Sequence, residues 1–270
     1  MAKSENHLFN NLPTAKEVRK RIIEMSFSAN ACHIGSALSC VEILLGIFKK
    51  MEKDDYFIFS KASGIAAYYA IMEKGDLKNY PLGDKKYAIW AGGSLGHGLP
   101  VATGLALADK KRNVYVLMSD AEMQEGTTWE SAMFAAHHLL NNLIVLIDYN
   151  KFQACGKINR ILNIEFLWQK WEAFGWKVIE IEGGHNLETI ENALNIDFTG
   201  IRIKGAGSLP SGAVGMQPDH ADESLKYKPL VIICHTIKGN GISFMEDNND
   251  WHYKNLTPEL YEASLRELSN

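Results

Sequence analysis

The sequence predicts an α/β fold built around a mostly parallel sheet. Four short runs of aliphatic and β-branched residues are typical of buried strands, at residues 113–118, 142–148, 177–182 and 230–235. Segments with helical periodicity alternate with these runs, and such alternation favours a parallel sheet. The chain has 270 residues, of which 46% are hydrophobic, which is enough for a sizeable core. We expect a single domain over residues 1–270, with a polar N-terminal arm at 1–13.

The helices are predicted from the spacing of apolar residues. Thr14 and Glu17 form a capping box, in which two side chains satisfy free backbone amides where a helix starts. His185 is expected to cap a later helix, and residues 197–228 are expected to form a loop or a segment that faces a partner. After the first helix, further helices are predicted at residues 37–50, 60–74, 99–109, 128–140, 162–174 and 187–195.

Composition and charge argue against several classes of function. The formal net charge is −4 and no long basic run occurs, so nucleic acid is not an expected partner. No uncharged apolar run reaches the roughly 18 residues of a membrane span, and the polar N-terminus lacks the apolar core of a signal peptide. Four cysteines without a CxxC pair indicate reduced thiols. We expect a soluble, cytoplasmic protein that contacts no membrane.

Oxygen-bearing side chains follow two neighbouring predicted strands. Asp120 follows the first run and Asn150 follows the second. A parallel strand–helix–strand unit places two such ends side by side, at the edge where α/β sheets bind ligands. A carboxylate with an amide oxygen suits Mg²⁺ or Ca²⁺ shared with phosphate oxygens better than Zn²⁺. Taken alone the pattern leaves a second interpretation, because Asp and Asn at strand ends are more often turn formers or helix caps.

Five ordered motifs resemble those of transketolases. Residues 119–126 (SDAEMQEG), followed by Asn142 and residues 148–150 (DYN), resemble the thiamine-diphosphate signature of that family, which runs from Gly-Asp-Gly to a closing Asn. The resemblance extends over nearly the whole chain and implies a three-layer α/β/α, thiamine-diphosphate-binding fold. The other matching motifs are residues 31–35 (ACHIG), 57–61 (FIFSK), 93–99 (GSLGHGL) and 235–246 (HTIKGNGISFME), the last followed by Trp251 and His252.

The resemblance also implies the residues of a site. Mg²⁺ would be held by Asp120, Asn150 and the backbone carbonyl of Phe152, and Ca²⁺ or Mn²⁺ could replace it. The catalytic residues would be His33, Glu125 and His252, with Glu125 at a subunit interface. The residues that would bind thiamine diphosphate are His33, Gly93, Ser94, Leu95, Asp120, Ala121, Glu122, Asn150, Lys238 and His252.

The motifs correspond to only one of the two domains that form a transketolase site. In that family the glutamate that activates the cofactor lies in a second, pyrimidine-binding domain. The resemblance therefore implies a partner chain that carries this domain, in a heterodimer or an α2β2 heterotetramer, with the cofactor between the chains. The implied reaction transfers a two-carbon ketol or acyl unit from a ketose or 2-oxo acid donor to an aldehyde-type acceptor.

Several positions depart from the family pattern. Ala121 replaces the second glycine of Gly-Asp-Gly, which costs about 1 kcal/mol or more if its φ is positive. Ser63 replaces a histidine, His97 replaces a glutamine, and the loop expected between residues 80 and 90 is short and lacks its histidine. Because the metal ligands persist while sugar-contacting residues change, we expect the cofactor to be retained and the substrate to differ, as in specialised metabolism.

Other interpretations are compatible with the same residues. The departures could mark a degenerate, non-catalytic subunit that stabilises its partner, and a 2-oxo acid decarboxylase-type subunit is the nearest catalytic alternative. Among single residues, His33 could be a core histidine, and Lys238 and His252 could be solvated loop residues. A nicotinamide-binding Rossmann domain is disfavoured, because no Gly-x-Gly-x-x-Gly follows an early strand.

Overall fold

The helices and strands are those of an α/β domain, in a computed structural model that describes residues 9, 11–73, 75, 77–78, 90–91, 93–196 and 226–269. The α-helices are α1 (Ala15–Ala29), α2 (Ile34–Ser39), α3 (Val41–Lys50), α4 (Ile65–Met72), α5 (Gly98–Ala108), α6 (Gly126–His137), α7 (Ile158–Ile161), α8 (Leu167–Ala173), α9 (Leu187–Leu194) and α10 (Pro258–Glu267). The strands are β1 (Tyr56–Phe59), β2 (Trp90–Ala91), β3 (Val114–Ser119), β4 (Leu143–Tyr149), β5 (Phe152–Gln153), β6 (Gly156–Lys157), β7 (Lys177–Ile181) and β8 (Leu230–His235). The tight 3₁₀ turns are Ala62–Gly64, Asp120–Gln124 and Asn249–His252.

The central sheet is parallel, as the sequence predicts. Its six strands lie in the order β2-β1-β3-β4-β8-β7, and each neighbouring pair is parallel. β3 and β4 occupy the middle, in a register that sets Ser119 beside Asp148 at their carboxyl ends. β5 and β6 form a separate antiparallel hairpin directly after β4. The carboxyl edge of the sheet therefore gathers the chain segments that carry the predicted site.

Alternate residues of each strand face two separate cores, which makes the fold three-layered. In β3, Tyr115 and Leu117 pack into a core formed with α1, α3, α4 and α9. Val116 and Met118 of the same strand pack into a second core formed with α5, α6 and α8. Both faces of the sheet are covered by helices, as expected for strands that read as continuous apolar runs. The predicted α/β/α arrangement is confirmed.

Three predicted helices have different limits from those expected. The helix predicted at 37–50 is two helices that meet at Cys40, whose backbone (φ −104°, ψ 12°) leaves helical geometry. The helix predicted at 60–74 begins only at Ile65, so Ser60 and Lys61 are free to face the sheet edge. The helix predicted at 162–174 begins at Leu167, after the short α7. In each case the apolar residues keep helical spacing across a turn, so the spacing alone does not show where the helix begins or breaks.

Several regular elements escaped the sequence prediction, namely β1, α10, the one-turn helix α7 and the two-residue strands β2, β5 and β6. β1 is only four residues long and was noted for its motif rather than as a strand. α10 does carry a start signal, because Thr257 caps it and Pro258 occupies its first turn. The capping box of Thr14 and Glu17 is confirmed.

Two smaller predictions concern capping and the thiols. The prediction for His185 is wrong: the cap of α9 is the neighbouring Asn186, whose side chain accepts from the Thr189 amide. The cysteines Cys32, Cys40, Cys155 and Cys234 are all free, as expected of reduced thiols.

Within the described part of the chain, no helix is both long and apolar enough to cross a membrane. Most of the predicted 197–228 loop and of the 80–90 loop lies outside the described residues.

Candidate active site at the carboxyl edge of the sheet

Asp120 and Asn150 are brought together as the strand–helix–strand unit predicts. The Lys151 amide, next to Asn150, donates to Oδ2 of Asp120 at 2.6 Å. Asp120 is fully buried, and its Oδ1 has no hydrogen-bond partner among the described residues. Asn150 is also buried, and its Oδ1 accepts from the Phe152 amide at 3.0 Å. Asp120 therefore has a carboxylate oxygen without a donor, and Asn150, which precedes the amide that binds Asp120, has an amide oxygen with a second lone pair.

These oxygens fit a divalent cation. Burial, and then the nearby Asp148 carboxylate, raise the pKa of Asp120 to about 8, so the chain by itself disfavours the ionised form that a bound cation would stabilise. Among the described residues no group of three or more His, Cys, Asp or Glu side chains could hold a metal. The donors present are instead one carboxylate and neutral oxygens, the small hard set with which proteins bind Mg²⁺ that also contacts phosphate.

A buried cation lies at the same edge. The Lys238 side chain is fully buried and donates to Oδ1 of Asn249 at 2.8 Å, with Nδ1 of His252 at 3.3 Å. It forms no ion pair with a described carboxylate, and burial lowers its pKa to about 8. Its Nζ also lies 5.4 Å from the centre of the Phe152 ring. The sequence left Lys238 as a possible solvated loop residue, and its burial excludes that interpretation.

Two histidines, His33 and His252, lie beside this lysine and are joined to each other by a backbone hydrogen bond. The His33 amide donates to the carbonyl of His252 at 3.0 Å, and the two rings are 4.7 Å apart. Burial, followed by the charge of Lys238, lowers the pKa of His252 to about 3 and also lowers that of His33. Both imidazoles are therefore neutral near pH 7. Since Lys238 can only donate, Nδ1 of His252 accepts and its proton lies on Nε2.

The Glu122 carboxylate contacts the glycine loop at residues 93–98 and links it to the end of β3. This carboxylate is fully buried and accepts from the Gly96 amide at 3.3 Å, from the Ser119 amide at 2.8 Å and from the Ser60 hydroxyl. Gly98 lies so close to Ser60 that a Cβ there would overlap the Ser60 side chain. These contacts show that Glu122 supports the loop. Its predicted role in binding the cofactor stays a prediction.

Comparison with known proteins places these features in a family. The family model described as "Transketolase, thiamine diphosphate binding domain" matches residues 82–197. One of the subunits of the apulose-4-phosphate transketolase of Phocaeicola vulgatus is 31% identical, over 93% of this chain and 91% of its own length. The chain belongs to the transketolase family. The 6-deoxy-6-sulfo-D-fructose transketolase subunit SqwG of a Clostridium species is 32% identical, over 94% of each chain. Both relatives are named as subunits, which implies that each works with a further chain.

Solved transketolases share the fold. The transketolase of Campylobacter jejuni superposes with a TM-score of 0.75 at 24% sequence identity. The match covers 94% of this chain and 42% of the Campylobacter chain. This chain therefore spans about two fifths of the length of that solved transketolase, whereas it aligns with almost the whole of the subunits named above.

Ala121, which replaces a glycine of the transketolase pattern, has a backbone conformation that suits alanine. Ala121 lies in the turn Asp120–Gln124 and is absent from the non-glycine residues with positive φ. Alanine therefore carries no left-handed strain here, and this departure is not a sign of degeneration.

Leu95 is partly buried, while Gly93, Ser94 and Glu125 are exposed on the loop rim and on the turn before α6. No hydrogen bond or ion pair between described residues joins Glu125 to the histidine pair.

The transketolase motifs contain a further feature that sequence reasoning missed, a buried ion pair. Lys61 and Asp148 are buried and paired at the ends of β1 and β4. Both residues were part of quoted motifs, but their spacing of 87 positions gave no sign that they meet. Trp129 and Trp251, by contrast, pack within the domain, and each indole donates to a nearby backbone carbonyl. The roles of the predicted residues towards a cofactor stay predictions.

Proposed function

We propose that the chain is the subunit of a two-chain transketolase that binds thiamine diphosphate and Mg²⁺. The proposal rests on two buried groups of opposite charge at one edge of the sheet, neither of which has an ion-pair partner among the described residues. Asp120 presents a buried carboxylate oxygen without a donor, and Lys238 presents a buried ammonium without a carboxylate among the described residues. A metal cation bound together with an anionic diphosphate would meet both requirements at once.

Two sets of residues would contact such a ligand, one at the metal and one at the diphosphate. Asp120, Asn150 and the carbonyl of Phe152 would hold Mg²⁺, for which Ca²⁺ or Mn²⁺ could substitute. The amides of Ala121 and of the loop Gly93, Ser94 and Leu95 would approach the diphosphate, because a loop with little side-chain bulk exposes its backbone donors. When bound, thiamine diphosphate would supply the electron sink for the two-carbon unit.

The imidazoles of His33 and His252 would act as neutral hydrogen-bond donors. Sγ of Cys32 lies 3.1 Å from Nδ1 of His33, and burial raises the pKa of this thiol, so the thiol keeps a proton that it would donate to Nδ1. With that hydrogen bond His33 would carry its own proton on Nε2, as His252 does beside Lys238. Two such donors beside Lys238 suit a phosphate oxygen or a substrate hydroxyl, and neither adds a charge that the site must balance.

The partner would be a second chain that carries the pyrimidine-binding domain and its activating glutamate. The exposed carboxylate of Glu125, beside the glycine loop, would meet that chain. We propose an α2β2 heterotetramer; the relatives that are named as transketolase subunits support the presence of a second chain. Four free cysteines fit a cytoplasmic location.

The donor is proposed to be a ketose other than an ordinary pentose phosphate. Relatives of the same length are named for apulose 4-phosphate and for 6-deoxy-6-sulfo-D-fructose, so the subunit type occurs with unusual sugars. In this chain Ser63 and His97 replace the residues of the family pattern. A site that hydrogen-bonds one set of hydroxyls discriminates strongly against another, so these replacements would change specificity more than cofactor binding.

The test is cofactor binding by the complex with its partner chain. The two chains would be co-expressed, and thiamine diphosphate would be titrated calorimetrically with Mg²⁺ present. We expect binding by the wild-type complex and its loss in Asp120→Ala, whereas the exposed control Asp54→Ala binds normally. A stable complex that binds no cofactor would instead indicate the scaffold function. Release of CO₂ from a 2-oxo acid without transfer would indicate a decarboxylase.

A further inference from the structure

The Lys61–Asp148 pair lies at the centre of a closed hydrogen-bond network. Besides Asp148, the Lys61 ammonium donates to the carbonyl of Ser36 at 2.7 Å and to Oγ of Ser39 at 3.0 Å. Its three protons therefore have three acceptors. The other oxygen of Asp148 accepts from the Thr236 hydroxyl. The network joins the ends of β1, β4 and β8 to α2 beneath the candidate metal site.

The direction of these hydrogen bonds determines what Ser39 can offer to a further neighbour. The one proton of the Ser39 hydroxyl has two acceptors in reach, Oδ2 of Asp148 at 2.6 Å and the Ser36 carbonyl at 3.1 Å, and Lys61 donates to the hydroxyl oxygen. Ser39 can therefore only accept from any other group. That group is the side-chain amide of Asn150, whose Nδ2 lies 3.2 Å from Oγ of Ser39 and 3.4 Å from Oδ2 of Asp148.

A reversed Asn150 amide would be unfavourable in this setting. Its carbonyl oxygen would then face the Asp148 carboxylate and a hydroxyl with no proton left to donate. Both contacts would be repulsive, and the buried oxygen would lose its donors. The observed orientation instead directs Oδ1 away from the network, to the side where it accepts from the Phe152 amide.

We propose that Lys61, Asp148, Ser39 and Thr236 are positioning residues, which fix the Asn150 side chain so that its oxygen, not its nitrogen, faces the metal. The inference rests on the proposed function, since it concerns the metal of that site. It differs from a purely structural role for the ion pair, because it predicts that changes in the network weaken metal binding only when Asn150 is present. Neighbours that orient metal ligands typically contribute about 10- to 100-fold to metal affinity.

The test compares matched substitutions in the complex of the two chains with thiamine diphosphate. Ser39→Ala and Thr236→Val each remove one network hydroxyl. Ser26→Ala and Thr103→Val are their controls, because those hydroxyls are equally buried but have no hydrogen-bond partner among the described residues. Mn²⁺ affinity would be measured from the electron paramagnetic resonance signal of the free ion. We expect about 10- to 100-fold weaker binding in the network variants and wild-type binding in the controls.

A double-mutant cycle separates positioning from general weakening of the fold. If Ser39 acts through Asn150, then Ser39→Ala will have almost no effect on Mn²⁺ affinity in an Asn150→Ala background. Additive effects, or network variants that bind as tightly as their controls, would overturn the inference while leaving the proposed function intact. A wild-type complex that binds no Mn²⁺ with thiamine diphosphate would overturn both.

Discussion

Two buried lysines lie at the same edge of the sheet in opposite electrostatic situations. Lys61 has a carboxylate partner in Asp148, and this partner raises its pKa despite burial. Lys238 has no described carboxylate partner, and burial lowers its pKa to about 8. The first charge is balanced within the chain and the second is not. Because an isolated buried charge is costly, the second lysine is expected to serve a ligand rather than the fold.

The largest difference between the two lysines should appear in stability. Lys61→Met leaves the Asp148 carboxylate buried without its partner, so we expect a loss of about 3–5 kcal/mol in the free energy of unfolding. The control is Lys49→Met, which breaks the largely exposed pair with Glu191 and should cost less than about 1 kcal/mol. Urea unfolding measures both. A Lys61→Met variant as stable as the control would remove the contrast.

The second test is the same substitution at Lys238. Lys238→Met replaces an unbalanced buried charge with an apolar side chain of similar length, so the unfolding free energy should be unchanged or higher. Thiamine diphosphate affinity of the complex should fall about 10- to 100-fold, since hydrogen bonds to charged groups contribute about 1.5–3 kcal/mol. Calorimetric titration and urea unfolding measure the two effects. A large loss of stability with unchanged affinity would assign Lys238 to the fold.

A third test concerns the close approach of α5 to Ser60, the neighbour of Lys61. Gly98→Ala would place a methyl group against the Ser60 side chain, which we expect to cost about 1–3 kcal/mol by overpacking. Gly104→Ala in the same helix has open space around its Cβ and should gain about 0.5–1 kcal/mol. Thermal unfolding of the pair checks the opposite signs. Equal effects would show that the glycine loop does not depend on this contact.

The smallest expected effect is a change in the dependence of stability on pH. The folded pKa of Lys238 is lowered from 10.5 to about 8, so between these values the unfolded state binds more protons than the folded state. Stability therefore rises with pH across this window, and the contribution is absent in Lys238→Met. Urea unfolding between about pH 8 and 10 should show a shallower rise for the variant. An unchanged slope would mean that Lys238 is not the source.

The sequence predicted the parts of the site that follow from chain order. A buried run, a helix and a second buried run are enough to set Asp120 beside Asn150, because a parallel unit aligns their carboxyl ends. The motifs around His33 and His252 also selected residues that the fold brings into contact. Such features depend on local pattern and on the handedness of one connection.

The remaining parts of the site depend on tertiary contacts that no local pattern encodes. Lys61 meets Asp148 only because β1 and β4 lie on either side of β3 in the sheet. The burial of Lys238 likewise depends on contacts with the turn that holds Asn249 and His252. Glu122 has the position of a first-turn acidic residue in the sequence, but only the fold shows that it supports the glycine loop. Side-chain partners that are distant along the chain were therefore the main omission.

The most direct measurement is anomalous diffraction from crystals of the two-chain complex grown with Mn²⁺ and thiamine diphosphate. We expect one manganese peak within bonding distance, about 2.1 Å, of Oδ1 of Asp120, Oδ1 of Asn150 and the carbonyl oxygen of Phe152. The cofactor's diphosphate should lie between that peak and Lys238. A complex with cofactor bound and no metal at Asp120, or a metal held by other residues, would contradict the account.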